Sequence, residues 1–241
     1  MLRPLALILL LSVPYVQAQE RPLRFSITES GTMPLVDIQD GVAVGGILHD
    51  LYQRLAQKVG RQAQIEVLPR LRVQQAMLHG EIDMRCYVNP VWVNDPYHQY
   101  LWSIPFMQQR DVLVARDAAQ QATTPPAGST IGTVLGFAYP TLEQRLLSGE
   151  LRRDDARTQG LVLDKLAAQR YDYAVSNDLA LRWYNTQHSG EAPLHEVQEL
   201  TDDPVSCLVR NEPDVPTMQL LRAMVRMKQD GEFDAILQRY R

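Results

Sequence analysis

The most restrictive feature of this chain is an alternation of strand and helix that runs once, breaks, and runs again. Residues 23–28 alternate apolar and polar side chains, the two-residue period of a strand. Residues 31–45, with their Gly, Pro and Asp, read as loop. Ile47, Leu48, Leu51, Leu55 and Val59 then recur at helical spacing, and Gly60 ends the helix. Residues 64–68 read as a second strand. Pro69 opens a short helix carrying Val73, Ala76 and Met77, stopped by Gly80, and residues 82–88 read as a third strand. Such an order points to a parallel α/β sheet, because parallel neighbours need a crossover that also covers the sheet. The pattern restarts with strands at 111–115 and 131–135, helices at 141–147 and 161–169, and a strand at 173–175. A polar linker fills 120–128. A strand at 205–209 and helices at 216–228 and 233–240 close the chain. The expectation is two α/β lobes of roughly 90 residues each, near the lower end for domains with their own cores, plus a C-terminal piece.

Composition excludes several classes. The 241 residues are 45% apolar and 22% charged, which fits a globular protein and not a collagen, coiled coil or disordered chain. A net charge of −4 does not indicate a nucleic-acid surface. Two Cys are too few for a disulfide-built scaffold or a four-thiolate zinc site, and the five His are scattered singly. The sequence therefore calls for no metal and no cofactor. It also lacks the Gly-x-Ser-x-Gly and His-Glu-x-x-His motifs of hydrolases. At the N-terminus, Arg3, an almost wholly apolar run over 5–13 and Val16-Gln17-Ala18 describe a secretory signal peptide over 1–18, cut after Ala18. The apolar run is shorter than the about 20 residues a membrane span takes. The expectation is a soluble exported protein, periplasmic in a bacterium.

Short segments along the chain carry a more specific signal. They include Thr28-Glu29-Ser30 after the first strand, Gly45-Gly46-Ile47-Leu48-His49-Asp50-Leu51 at the first helix, and AMLHGEID over 76–83. Trp102-Ser103-Ile104-Pro105-Phe106, Ile131-Gly132 through Gly136, and Tyr171-Asp172-Tyr173-Ala174-Val175 follow. Val209-Arg210-Asn211 and Gln229-Asp230-Gly231-Glu232-Phe233-Asp234 end the series. In this order and spacing they resemble the bacterial extracellular solute-binding proteins of family 3, the amino-acid type. The resemblance implies a periplasmic binding protein-like type II fold with two α/β lobes, 19–109 plus 205–241 and 110–204. Two crossing segments, near 109–111 and 200–205, would join them and form the hinge. The ligand would sit between the lobes, beyond the carboxyl ends of the strands. The resemblance also puts Cys86 and Cys207 on neighbouring strands, where a disulfide and two free buried thiols both fit.

The cleft residues depart from the amino-acid binders. Glu29 stands where the family holds the ligand's amino group with an Asp, and Asn177 stands at the position of a second acid. Asn89-Pro90-Val91-Trp92 replaces the Arg of the carboxylate clamp, and Gly136-Phe137-Ala138-Tyr139 replaces a turn of hydrogen-bond donors. Arg70, at a helix start, has the planar fork that takes a carboxylate or phosphate; it also fits a solvated pair with Glu66. Tyr87, Asn89 and Trp92 follow the third strand and should face the cleft, although Trp92 also fits lobe packing. Phe137 and Tyr139 lie at the strand-to-helix turn of lobe two, where Tyr139-Pro140 also fits a plain helix start. Trp102 reads as a core aromatic. Arg85, mid-strand, needs a partner that the sequence does not name.

The resulting expectation is a monomeric solute-binding protein and not an enzyme. It would capture a small polar or anionic metabolite and present it to a membrane permease of the ABC type or to a sensor domain, with no nucleic-acid partner. Two alternatives stay open. One is a cleft enzyme resembling cyclohexadienyl dehydratases, with Glu29 as acid and Arg70 as carboxylate clamp. The other is a signalling accessory without transport.

Overall fold

A computed structural model of the protein describes residues 21–93, 100–117 and 124–240. The expected signal peptide and the start of the polar linker at 120–123 lie outside the described residues. β1 (Leu23–Thr28) leads through a hairpin, β2 (Asp37–Gln39) and β3 (Val42–Gly45), into α1 (Ile47–Lys58). β4 (Ala63–Leu68), α2 (Arg70–Leu78) and β5 (Met84–Val88) follow, then a 3-10 turn at Pro90–Trp92. A short β6 (Tyr100–Trp102) precedes β7 (Met107–Ala115). Next come β8 (Thr130–Val134), α3 (Pro140–Leu147), β9 (Arg152–Ala156), α4 (Gln159–Ala167), β10 (Tyr173–Asn177) and α5 (Asp178–Gln187). The long β11 (His195–Arg210) returns, and α6 (Thr217–Gln229) and α7 (Glu232–Gln238) close the chain.

Several regions differ from the sequence expectation, among them the long β11, read from sequence only over 205–209. The stretch 31–45 is not all loop: Asp40 (φ 50°) and Gly41 (φ 79°) make a two-residue turn with both residues left-handed, which joins β2 to β3. β9 and α5 carry no expected counterpart. β9 is Arg-Arg-Asp-Asp-Ala on a sheet edge, so it lacks an apolar alternation to read. Trp102 is not a core residue. It lies on β6, which among the described residues pairs with β11 alone, and it is 37% exposed.

Both lobes are wound in the same way. Lobe one has the parallel order β4-β1-β5, and lobe two has the parallel order β9-β8-β10. In each, the first strand is central and its two successors flank it. The crossovers therefore part at that strand's carboxyl end, where α/β sheets bind ligands. β7 and β11 run antiparallel as a ribbon from His195↔Ala115 to Val205↔Met107. One end of the ribbon joins β10 through Asn177↔Asp111, and the other joins β5 through Cys207↔Cys86. One hydrophobic core takes residues from 23–107 and 205–236, while two others take residues only from 112–194.

Two polar clusters hold lobe one together. The Asp83 carboxylate is fully buried and accepts from Arg21 (2.6 Å), Arg24 (2.8 Å) and Arg210 (3.0 Å), and from the Arg24 backbone N–H. Burial pushes its carboxyl up, but these hydrogen bonds outweigh burial and hold it well below the usual range. The second is Tyr52 of α1, stacked on Phe25 at 4.5 Å. Its hydroxyl donates to Ser26 O and accepts from Cys86 N–H, both at 2.9 Å, between β1 and β5. Tyr52→Phe should strand both backbone groups and cost about 1–3 kcal/mol, read from the urea midpoint at unchanged slope.

Candidate functional site

A cavity of about 490 Å³ lies where the carboxyl end of β1 meets the turn after β8. That volume suits a small organic ligand. Lobe one contributes Ser26, Thr28, Arg70, Arg85, Tyr87 and Trp92 to its wall, and lobe two contributes Phe137, Ala138 and Pro140. The crossing strands form its floor with Gln109 and Asp111 of β7 and Thr201 and Asp203 of β11.

Tyr87 enters the cavity through a β-bulge. The register jumps from Ser206↔Val88 to Cys207↔Cys86, which leaves Tyr87 unpaired at φ 64°. A bulge turns a side chain away from the strand's alternation, and a left-handed tyrosine costs about 1–3 kcal/mol. Cys86 and Cys207 are joined by a disulfide beside it, with Cα atoms 3.9 Å apart. The Tyr87 hydroxyl oxygen is buried with no hydrogen-bond partner among the described residues. Burial raises its pKa, and Asp111 and Asp178 raise it further.

The two cations of the cavity wall, Arg70 and Arg85, have no counter-ion among the described residues. Arg70 reaches across the cleft: its Nε donates to Gly136 O at 2.9 Å, and its guanidinium lies 4.7 Å from the centre of the Phe137 ring. Gly136 sits at φ 77°, a conformation that favours glycine and turns its carbonyl toward lobe one. No described carboxylate pairs with Arg70 or Arg85; Glu66 instead accepts from Gln64. Burial lowers the Arg70 pKa, and burial plus the nearby Arg70 charge bring Arg85 down to about 10, still cationic at neutral pH. At the floor, burial pushes the Asp111 carboxyl up to about 6. The 2.9 Å hydrogen bond from Gln109 opposes that rise, while Asp203 and Asp178 add to it.

The structure brings together four of the expected ligand residues, Arg70, Tyr87, Trp92 and Phe137. The other four do not line the cavity. Glu29 is exposed. Asn89 caps the 3-10 turn, accepting from Val91 N–H at 2.9 Å and donating to Pro204 O at 3.0 Å. Asn177 caps α5 by accepting from Ala180 N–H at 2.8 Å. The Tyr139 hydroxyl accepts from Val134 N–H at 2.9 Å inside the core of lobe two. Sequence reading leaves out Asp111, Asp203, Gln109 and Thr201 on the crossing strands. The signal for Arg85 was present in its uncompensated charge in mid-strand.

No protein-family model and no curated protein matches this sequence. Solved structures do match in fold. An ancestral arginine-binding protein bound to arginine is 18% identical, with a TM-score of 0.75 over 92% of this chain and 99% of that one. The ancestral amino acid-binding protein AncCDT-1, a precursor of cyclohexadienyl dehydratase, is 15% identical, with a TM-score of 0.73 over 91% and 95%. The periplasmic VFT2 domain of Bordetella pertussis BvgS is 18% identical, with a TM-score of 0.69 over 93% and 95%. The chain therefore has the two-lobe, type II fold of periplasmic binding proteins. Among the described residues, no helix is long and apolar enough to cross a membrane.

Proposed function

We propose that this chain is a divergent solute-binding protein of the family 3 type. It is exported behind a signal peptide over 1–18 and closes two lobes, 19–109 plus 205–241 and 110–204, on a small polar or anionic metabolite. It then presents that metabolite to a membrane ABC transporter or a sensor domain, and it works as a monomer. The observation that carries this reading is the cavity between the lobes with two guanidiniums, Arg70 and Arg85, that no described carboxylate neutralises. Cations withdrawn from water need an anion, and the guanidinium fork fits a carboxylate or phosphate. Trp92 and Phe137 supply apolar walls. Arg70 touches lobe two through Gly136 and Phe137, so a ligand held by Arg70 favours closure. The elimination-enzyme alternative loses its acid at Glu29, which stands outside the cavity wall.

The test is a thermal-unfolding screen of the purified mature protein against amino acids, short peptides, di- and tricarboxylates, polyamines and aromatic acids. A ligand at about 100 times its Kd adds about 2.7 kcal/mol, a clear shift. Arg70→Ala should weaken the hit at least about tenfold, since a charged hydrogen bond contributes about 1.5–3 kcal/mol. Release of phenylpyruvate from prephenate would replace this reading with the enzymatic one.

A further inference from the structure

The cavity has a second charged end, which extends the solute-binding reading and rests on it. Asp111 and Asp203 belong to paired strands, with Thr201 opposite Asp111 and Asp203 opposite Gln109. The two acids are thus diagonal neighbours on one face of the ribbon, about 7–8 Å apart at Cα. Arg110 and Asp202, which alternate with them, line a separate groove on the opposite face, where Arg110 pairs with Glu196 and Glu199. No described Lys, Arg or His pairs with Asp111 or Asp203. Asp111 receives only the neutral Gln109 amide. The orphaned Tyr87 hydroxyl lies within the field of Asp111 and lines the same cavity.

We propose that Asp111, Asp203 and the Tyr87 hydroxyl form a subsite on the crossing strands for the organic cation of an amphoteric ligand, whose anionic group sits on Arg70 and Arg85. Three acceptor groups with no donor cation suit an ammonium or guanidinium, which presents several N–H donors at once. A second anionic group would be repelled there, and an apolar tail would leave the Tyr87 hydroxyl without a partner and two carboxylates desolvated with only the neutral Gln109 amide between them. The cation site therefore lies on the hinge ribbon. Glu29 and Asn177, at the lobe positions where the resemblance puts the partners of the ligand's amino group, are outside the cavity. A cation bound here sits on two strands, already paired with each other, that belong to neither lobe alone.

The experiment measures thermal stabilisation and calorimetric affinity at pH 7.5 with matched straight-chain probes of three to six carbons. These are ω-amino acids, monocarboxylates, dicarboxylates and alkylamines, with lysine, arginine and calcium chloride added. Probes carrying both charges should bind at least tenfold more tightly than carboxylates of equal length. Asp111→Asn and Asp203→Asn should each weaken the best amphoteric probe at least tenfold without lowering the stability of the free protein, because each removes a repelled charge. A purely structural role would lower it. Acidification from pH 7.5 to 5 should weaken the same probe as Asp111 takes up a proton. The groups facing Asp111 are Asp203 on β11, Asp178 on α5, Tyr87 on β5, Tyr139 and the Gln109 amide. Tighter binding of mono- or dicarboxylates, stabilisation by calcium alone, or Asn variants that bind like the parent would overturn the cation subsite and leave the solute-binding reading standing. Silence from every probe here, with a non-amphoteric hit in the wider screen above, would overturn the cation subsite alone; silence from both panels would overturn both readings.

Discussion

Asp83→Ala is expected to lower the stability of the protein by about 3–5 kcal/mol, the cost of breaking a buried ion cluster by removing one partner. The carboxylate is fully buried, and three guanidiniums from distant parts of the chain converge on it. Arg21 and Arg24 come from the first strand region and Arg210 from the end of β11, so the loss would loosen lobe one at the ends of three strands. Arg210 is itself only 12% exposed and keeps Asp214 as its remaining partner. For a chain of this size, such a loss lowers the melting temperature by roughly 10 °C. Asp83→Asn should cost less, because an amide oxygen still accepts and Arg21 and Arg210 keep Asp214, but Arg24 would be left with no carboxylate partner among the described residues. The pH dependence has a definite sign. The folded carboxyl is held below its unfolded value, so its contribution is fully present above about pH 4 and is lost as the pH falls through the folded value. The parent should therefore lose stability on acidification below pH 4 more steeply than Asp83→Asn. Urea unfolding of both proteins across that range checks the prediction, and parallel curves would overturn it.

The second large effect belongs to the disulfide. Cys86 and Cys207 are 121 positions apart, and the bond closes a loop that includes lobe two. Loop closure of that length, taken from the unfolded chain, is worth about 5 kcal/mol, and removal of native disulfides typically costs about 2–5 kcal/mol. Cys86→Ser with Cys207→Ser should melt roughly 10 °C lower and be indifferent to added reductant. The parent should fall to the same value when reduced. A parent unmoved by complete reduction, confirmed by thiol counting, would refute this. Function should suffer beyond stability, because Arg85 and Tyr87, the neighbours of Cys86, both line the cavity. The bond holds β11 against β5 beside the left-handed Tyr87, so its loss lets the bulge relax. Ligand affinity of the double variant at a temperature where it is fully folded should be lower than that of the parent. An oxidising compartment allows such a bond to persist, in line with the export proposed above.

What could be read from the sequence depended on how local its cause was. The apolar spacing of α1 and the alternation of β1 are written within a few residues, and both elements stand within a residue or two of the expected limits. The parallel winding followed from the order of elements, because a helix between two strands restricts how they can pair. The β2–β3 hairpin was harder, although Asp40-Gly41 is a strong turn signal, since its strands are three and four residues long. β9 was illegible because an edge strand made of Arg and Asp looks like surface loop.

The site divided along similar lines. Arg70, Tyr87, Trp92 and Phe137 follow strand ends, and that position alone carries them to the cavity. Asn89 and Asn177 sit at strand ends too, yet each precedes a helical turn, where an Asn side chain caps the free backbone N–H groups. Asp111 and Asp203 could not be placed from sequence, because their proximity arises from pairing between segments some 90 positions apart. Arg85 was legible only as an anomaly, and its explanation needed the cavity.

The split of the hydrophobic cores has a consequence for how the chain acquires its shape. Every buried residue of the two lobe-two cores falls within 112–194, one uninterrupted run, whereas the lobe-one core draws on both 23–107 and 205–236. As the chain emerges N-terminus first, everything lobe two needs is present before α6 and α7 have arrived. Lobe two should thus mature as the early nucleus, while the first hundred residues wait with an apolar face open to chaperones. The last forty residues act as the closing seal, and a nascent chain truncated before Val205 should leave the lobe-one core unfinished and open to proteolysis.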